Sequence, residues 1–109
     1  IKDAGDLSVA GLAKKIADLA HAYDVLCAFH NCHSPLTTLI SASVAATIPN
    51  FAILEIDVDD APWRDDLMTH PFTIEAGHLH LPTRPGLGVT LSEQARIWTR
   101  ERAEVGAQP

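Results

Sequence analysis

Asp24-Val25-Leu26-Cys27-Ala28-Phe29-His30-Asn31-Cys32-His33-Ser34-Pro35 is the stretch that decides the fold. Val25 to Phe29 is an apolar run without polar alternation, the pattern of a strand packed on both faces, as in a parallel sheet. His30 to His33 breaks the run with polar side chains. Ser34-Pro35 then opens a helix: the serine oxygen can accept from the first free N–H groups, and the fixed φ of proline suits the first helical position. A buried strand that passes through a polar loop into a capped helix is a β/α unit.

The same unit is expected on either side. Upstream, Leu12, Ile16, Leu19, Ala20 and Tyr23 recur every three or four residues, with Lys14, Lys15, Asp18 and His21 between them. That spacing predicts an amphipathic helix from Leu7 to Tyr23. Ile1-Lys2-Asp3 reads as the end of a strand before it. Downstream, the helix opened by Ser34 should run to about Ile48, and Phe51 to Ile56 is a second buried-strand candidate. Strand end, helix, strand, helix, strand is the parallel α/β rhythm.

After Ile56 the rhythm stops. Asp57 to Pro71 is expected to be a long acidic loop, with Trp63 as its apolar anchor. Phe72 to Leu81 reads as a hairpin turning at Ala76-Gly77. Pro82-Thr83-Arg84-Pro85-Gly86-Leu87-Gly88-Val89 is a turn-rich connector, and Ser92 caps a last helix that should fray beyond Arg102. The chain thus divides into β/α units over 1–56 and a loop, hairpin and return segment over 57–109.

The 109 residues carry 8 Lys plus Arg against 14 Asp plus Glu, a formal charge of −6. An acidic balance of this kind argues against nucleic-acid backbone binding, which needs a basic face to release counterions. Apolar residues make up 47%, enough for a packed core and too many for a disordered tail. No apolar stretch approaches the roughly 20 residues that cross a bilayer, and no leader pattern is seen, so a cytoplasmic location and no membrane partner are expected. Cys27 and Cys32 lie too close together to staple much chain, which fits a reducing compartment.

In parallel α/β folds, chemistry gathers at the carboxyl ends of the strands. The polar residues at those positions are Asp3, His30 and Glu55, separated by 27 and 25 residues. A carboxylate beside an imidazole fixes its tautomer and stabilises its protonated form, so His30 is the candidate proton carrier. On the residues alone, a loop histidine bonded to a backbone carbonyl is the stronger reading.

Asp24 to Pro35 resembles the seventh-strand region of the enolase superfamily, and most closely its mandelate racemase-type sugar-acid dehydratases. Pro49-Asn50-Phe51-Ala52-Ile53-Leu54-Glu55 resembles the eighth strand of that group. Pro62-Trp63-Arg64-Asp65-Asp66-Leu67 and Leu81 to Val89 resemble the segments that follow it. The fold implied is the C-terminal portion of a modified (β/α) barrel, strands six to eight plus the return segment. It is incomplete as a barrel, since a full one needs roughly 250 residues.

The resemblance also implies a mechanism. A sugar-acid (aldonate) substrate binds Mg2+, which stabilises the enediolate left when the α-proton departs. His30 removes or returns the proton and Asp3 orients it. Glu55 sits beside the substrate carboxylate, and His33 is a further substrate-contact candidate. The metal-binding acids of the family lie on strands three to five, so no metal ligand is assigned here, and the capping domain is absent too. Ser8-Val9 stands where the family usually has a Gly-Gly pair. A racemase or cycloisomerase would use the same dyad. An inactive truncated fragment that needs another chain is a third reading, while the intact protein is expected to be a homo-oligomer.

Other constellations are weaker. His30, Cys32 and His33 lack the second ligand pair of a structural zinc site. The aspartates after Ile56 lack the glycine and closing glutamate of a calcium loop. Cys27 reads as core packing. Cys32 has no basic neighbour in sequence apart from the histidines, which weighs against a nucleophilic thiol.

Overall fold

The structure, a computed structural model, describes residues 7–32, 34–57 and 63–106. The expected strand end with Asp3, and also His33, lie outside the described residues. Helix α1 spans Leu7–His21, strand β1 Cys27–Phe29, helix α2 Pro35–Ala45 and strand β2 Phe51–Leu54. Strands β1 and β2 pair in parallel, with Ala28 opposite Ile53, Phe29 opposite Leu54, and an irregularity between Cys27 and Ala28. The β/α rhythm of the sequence is therefore present in its two central strands, within an open α/β arrangement.

Each connection has a local cause. Helix α1 closes with Val25 N–H donating to Ala20 O and Asp24 N–H to His21 O, both at 3.0 Å. Asp24 takes the left-handed conformation (φ 56°) that this closure needs, a role a short polar side chain tolerates. Ser34 caps α2 as expected, its Oγ accepting from Thr37 N–H at 3.3 Å, with Pro35 in the first turn. Small side chains on α2, among them Ser41, Ala42 and Ala45, are buried, which lets the helix lie close on its neighbours.

The core under the strands joins Ala17, Cys27, Phe29, Ala45 and Ile48, and Cys27 packs there as its place in the strand suggests. Phe29 stacks at a tilt on Phe51, with ring centroids 6.2 Å apart. The buried Asn50 clamps the start of the sheet. Its Nδ2 donates to Val25 O at 2.8 Å and to Ala17 O at 3.1 Å, while its main-chain carbonyl accepts from Cys27 N–H at 2.8 Å. One residue thus ties the end of α1 to the entry of β1.

Burial of both sheet faces is not found. Val25, Leu26 and Ile53 are exposed, because helices α1 and α2 supply cover for one side of a two-stranded sheet only. The elements are also shorter than the apolar runs suggest: α2 stops at Ala45 rather than near Ile48, and β2 at Leu54 rather than Ile56.

The second half follows the expected plan with two corrections. The described part of the acidic loop holds a 3-10 turn, η1, at Asp65–Leu67. The last helix, α3, continues from Glu93 to Gly106, past the expected fraying point at Arg102. The hairpin forms from β3 (Ile74–Glu75) and β4 (His78–Leu79). Ala76 and Gly77 both have positive φ, 50° and 78°, the conformation of a two-residue hairpin turn. Gly88 (φ 73°) is obligatory, since a Cβ there would sit 2.2 Å from Pro82 Cβ. Ser92 caps α3 through Ala95 N–H and donates to Asp66 O, so one hydroxyl joins the helix to η1. Trp63 meets Trp98 edge-on at 6.1 Å, the anchoring expected of it.

Replacing Asn50 with Ala removes three side-chain hydrogen bonds, to Ala17 O, Val25 O and Cys27 Sγ, and leaves the two carbonyls without that donor. Such a loss costs about 2 kcal/mol, to be read as a lower urea midpoint with an unchanged slope. Thr47→Ala, exposed just beyond α2, should change stability by less than about 0.5 kcal/mol in the same melts.

Candidate active site

The site grows from the carboxyl ends of the two parallel strands. His30 directly follows β1, and Glu55 directly follows β2. Glu55 N–H donates to Phe29 O at 3.0 Å, extending the ladder by one bond. That bond sets both residues on the same rim. Imidazole Nδ1 of His30 lies 2.5 Å from Glu55 Oε2. The same Oε2 accepts from the Asn31 backbone N–H at 3.1 Å.

Asn31 fixes this arrangement from below. It is 2% exposed, and its Nδ2 donates to Thr38 Oγ1 at 2.9 Å and to Glu55 O at 3.0 Å. The end of β1, the end of β2 and the first turn of α2 are thereby joined through one amide. The functional groups above it remain open to solvent, the His30 and Glu55 side chains being 43% and 51% exposed. The imidazole therefore stands on a rigid base and faces outward.

The charge distribution follows from the donors. The Asn31 N–H, and after it the His30 ring, hold the Glu55 carboxyl below its ordinary value of 4.5, since both favour the ionised form. An ionised carboxylate only accepts, so Nδ1 carries the proton of a neutral ring and Nε2 carries the lone pair. Nε2 lies 3.2 Å from Cys32 Sγ.

Of the residues singled out from sequence, the structure brings His30 and Glu55 together. Asp3 and His33 lie outside the described residues. His78, in β4, and His80, directly after it, are both exposed. Asn31, Thr38 and the contact of Cys32 with His30 were not anticipated. An asparagine in a polar loop gives no sign of burial, whereas the histidines are the basic neighbours that the sequence offers Cys32, and His30 is the one it meets. A hollow of about 600 Å3 near α3, lined by Trp63, Leu67, Met68, Leu91, Ala95 and Trp98 among others, is apolar and holds no acid or base. Among the described residues, no group of three His, Cys, Asp or Glu side chains is placed to hold a metal ion. The described residues by themselves do not make a magnesium site.

The enolase C-terminal domain-like family model matches residues 8–95. The chain belongs to that family. Its fold is accordingly a portion of a (β/α) barrel, and the described residues contain no closed barrel. Among curated relatives of this family member, D-xylonate dehydratase of Haloferax volcanii is 45% identical over 82 residues, covering 75% of this chain and 20% of the relative. D-gluconate dehydratase of Thermoproteus tenax is 33% identical over 101 residues, covering 87% of this chain and 20% of the relative. The chain thus spans about a fifth of the length of these relatives.

Solved structures agree. A provisionally named L-alanine-DL-glutamate epimerase from Burkholderia xenovorans, bound to magnesium and fumarate, superposes with a TM-score of 0.75 at 39% identity, covering 82% of this chain and 22% of that one. A mandelate racemase/muconate lactonizing enzyme-like protein from Rubrobacter xylanophilus does so with a TM-score of 0.73 at 38% identity, covering 82% and 23%.

The lowered Glu55 value fixes the sign of a pH effect. A carboxyl whose folded value lies below its unfolded one stabilises the fold above the unfolded value, and that contribution is lost as pH falls through the folded value. Glu55→Gln should therefore be less stable than the parent chain at neutral pH. The gap should close in acid, below 4.5, as read from paired urea melts.

Proposed function

We propose that this chain is the C-terminal part of a sugar-acid dehydratase in which His30 is the acid–base residue. The observation that carries the reading is the 2.5 Å contact between His30 Nδ1 and Glu55 Oε2 at the ends of adjacent parallel strands. Its family setting supports it, because curated relatives are named for dehydration of D-xylonate and D-gluconate.

Glu55 holds the Nδ1 proton, which leaves the Nε2 lone pair to take a proton from the carbon beside the substrate carboxylate. The neighbouring β-hydroxyl then departs as water with a proton from an acid elsewhere in the barrel, and the enol that is left becomes a 2-keto-3-deoxy acid. The ring charge that develops when Nε2 is protonated is stabilised by the Glu55 carboxylate at Nδ1. In the whole protein, Asp3 shares the orientation of the imidazole, and Glu55 also borders the substrate carboxylate. His33, the residue before the cap of α2, contacts substrate. Mg2+ is the cofactor, bound by residues outside this chain, and no step is assigned to it here.

Residues 1–56 supply the β/α units and 57–109 the return segment. The partner is an aldonate rather than nucleic acid or a membrane; no helix among the described residues is long and apolar enough to cross one. The intact protein works in the cytoplasm as a homo-oligomer, and the 109-residue chain by itself is inactive because it holds half of the acid–base apparatus.

A racemase or cycloisomerase reading has its own support in the epimerase and mandelate racemase/muconate lactonizing enzyme-like neighbours. Both chemistries begin with the same proton transfer, so the product separates them.

The test uses the complete enzyme that carries this segment, with magnesium and a panel of aldonates. A 2-keto-3-deoxy product is expected. His30→Gln should lower kcat by at least about 100-fold, the low end for loss of a general base, with KM less affected. Turnover undiminished by His30→Gln would overturn the role given to His30, and epimerised substrate without dehydration would favour the second reading.

A further inference from the structure

Glu55, His30 and Cys32 form a continuous chain of polar contacts. Oε2 of Glu55 meets Nδ1 of His30 at 2.5 Å, and Nε2 of His30 meets Sγ of Cys32 at 3.2 Å. The order of the atoms fixes the direction of the protons. The carboxylate has only lone pairs to offer, so it claims the Nδ1 proton, and Nε2 becomes an acceptor whose nearest donor is the thiol S–H. A thiol that donates to an imidazole backed by a carboxylate is the activated-nucleophile arrangement. Cys32 is also a free, exposed thiol, whereas Cys27 is buried.

We propose that Cys32 is a reactive thiol, activated by His30 and Glu55, and that it is a modification site for soft carbon electrophiles. In the reaction, Nε2 takes the S–H proton as the sulfur pair forms a bond to the electrophilic carbon. With iodoacetamide, the S–C bond forms, the C–I bond breaks, and iodide leaves with the bonding pair. The imidazolium then returns its proton to solvent. Glu55 stabilises the ring while it is charged. The added group lies against Nε2, so capping Cys32 also removes His30 as a proton acceptor. That last consequence alone rests on the proposed function; the thiol's reactivity stands without it.

The test is iodoacetamide labelling of the 109-residue chain at neutral pH, followed peptide by peptide by mass spectrometry. Cys32 should react about ten-fold faster in the folded chain than in the same chain unfolded in urea, because Nε2 is positioned to take the S–H proton as the sulfur attacks. Cys27 should be protected when the chain is folded, which reports folding in every variant. His30→Gln should bring the Cys32 rate down to the unfolded level with Cys27 still protected, and Glu55→Gln should lower it several-fold. A folded Cys32 that reacts no faster than the unfolded one overturns the proposal. So does a folded His30→Gln chain that keeps the parent rate.

Discussion

The constraint on which the site depends is the seating of the Glu55 carboxylate on the loop that follows β1. A two-stranded parallel sheet of three and four residues has few ladder bonds of its own. Its ends are instead held by two buried asparagines. Asn50 ties the entry of β1 to α1, and Asn31 ties the exits of β1 and β2 to the first turn of α2. Asn31 acts twice, since its side-chain amide binds the Glu55 main chain while its backbone N–H binds the Glu55 side chain. A one-residue slip of either strand would break all of these bonds and carry His30 and Glu55 to different faces.

This geometry divides the labour within a small rim. Backbone and amide groups below it are buried and rigid, while the imidazole and carboxylate above it face solvent. Rigid support under an exposed acid–base pair is how a site keeps its geometry while it admits a ligand. The carboxylate is held in its ionised form by donors that are part of the fold, so the tautomer of His30 follows from the chain's own architecture. Cys32 occupies the remaining nitrogen, two residues along, which turns a carboxylate–imidazole pair into a three-membered series.

Much of this was legible in the sequence. The apolar runs at Val25–Phe29 and Phe51–Ile56, the Ser34-Pro35 cap, the Ala76-Gly77 turn and the Ser92 cap each have a local physical cause, and each is found at or near its expected place. The candidates His30 and Glu55 were legible because they end strands. What the sequence hid depends on distant neighbours. Nothing local distinguishes the buried Asn31 from an exposed loop residue, since its burial is created by Thr38 and Glu55. The apolar runs overstate strand length and two-sided burial, because Val25, Leu26 and Ile53 are patterned for cover that α1 and α2 do not supply. In a chain about a fifth as long as its curated relatives, apolar faces left without cover are expected, since three strands and two helices cannot cover both faces of a sheet and also hide both edges. Helix α3 outran its expected end because its continuation to Gly106 lies in a charged stretch with no breaker before Gly106.

The chemistry of the rim turns most directly on the protonation of one ring. A long-range proton–nitrogen NMR spectrum of the neutral His30 imidazole distinguishes its two tautomers. With the Glu55 carboxylate at Nδ1, the ring is predicted to carry its proton on Nδ1 and to show an unprotonated Nε2, and Glu55→Gln should weaken that preference. A neutral ring protonated on Nε2 in the parent chain would contradict the arrangement from which the chemistry of His30, Glu55 and Cys32 has been derived.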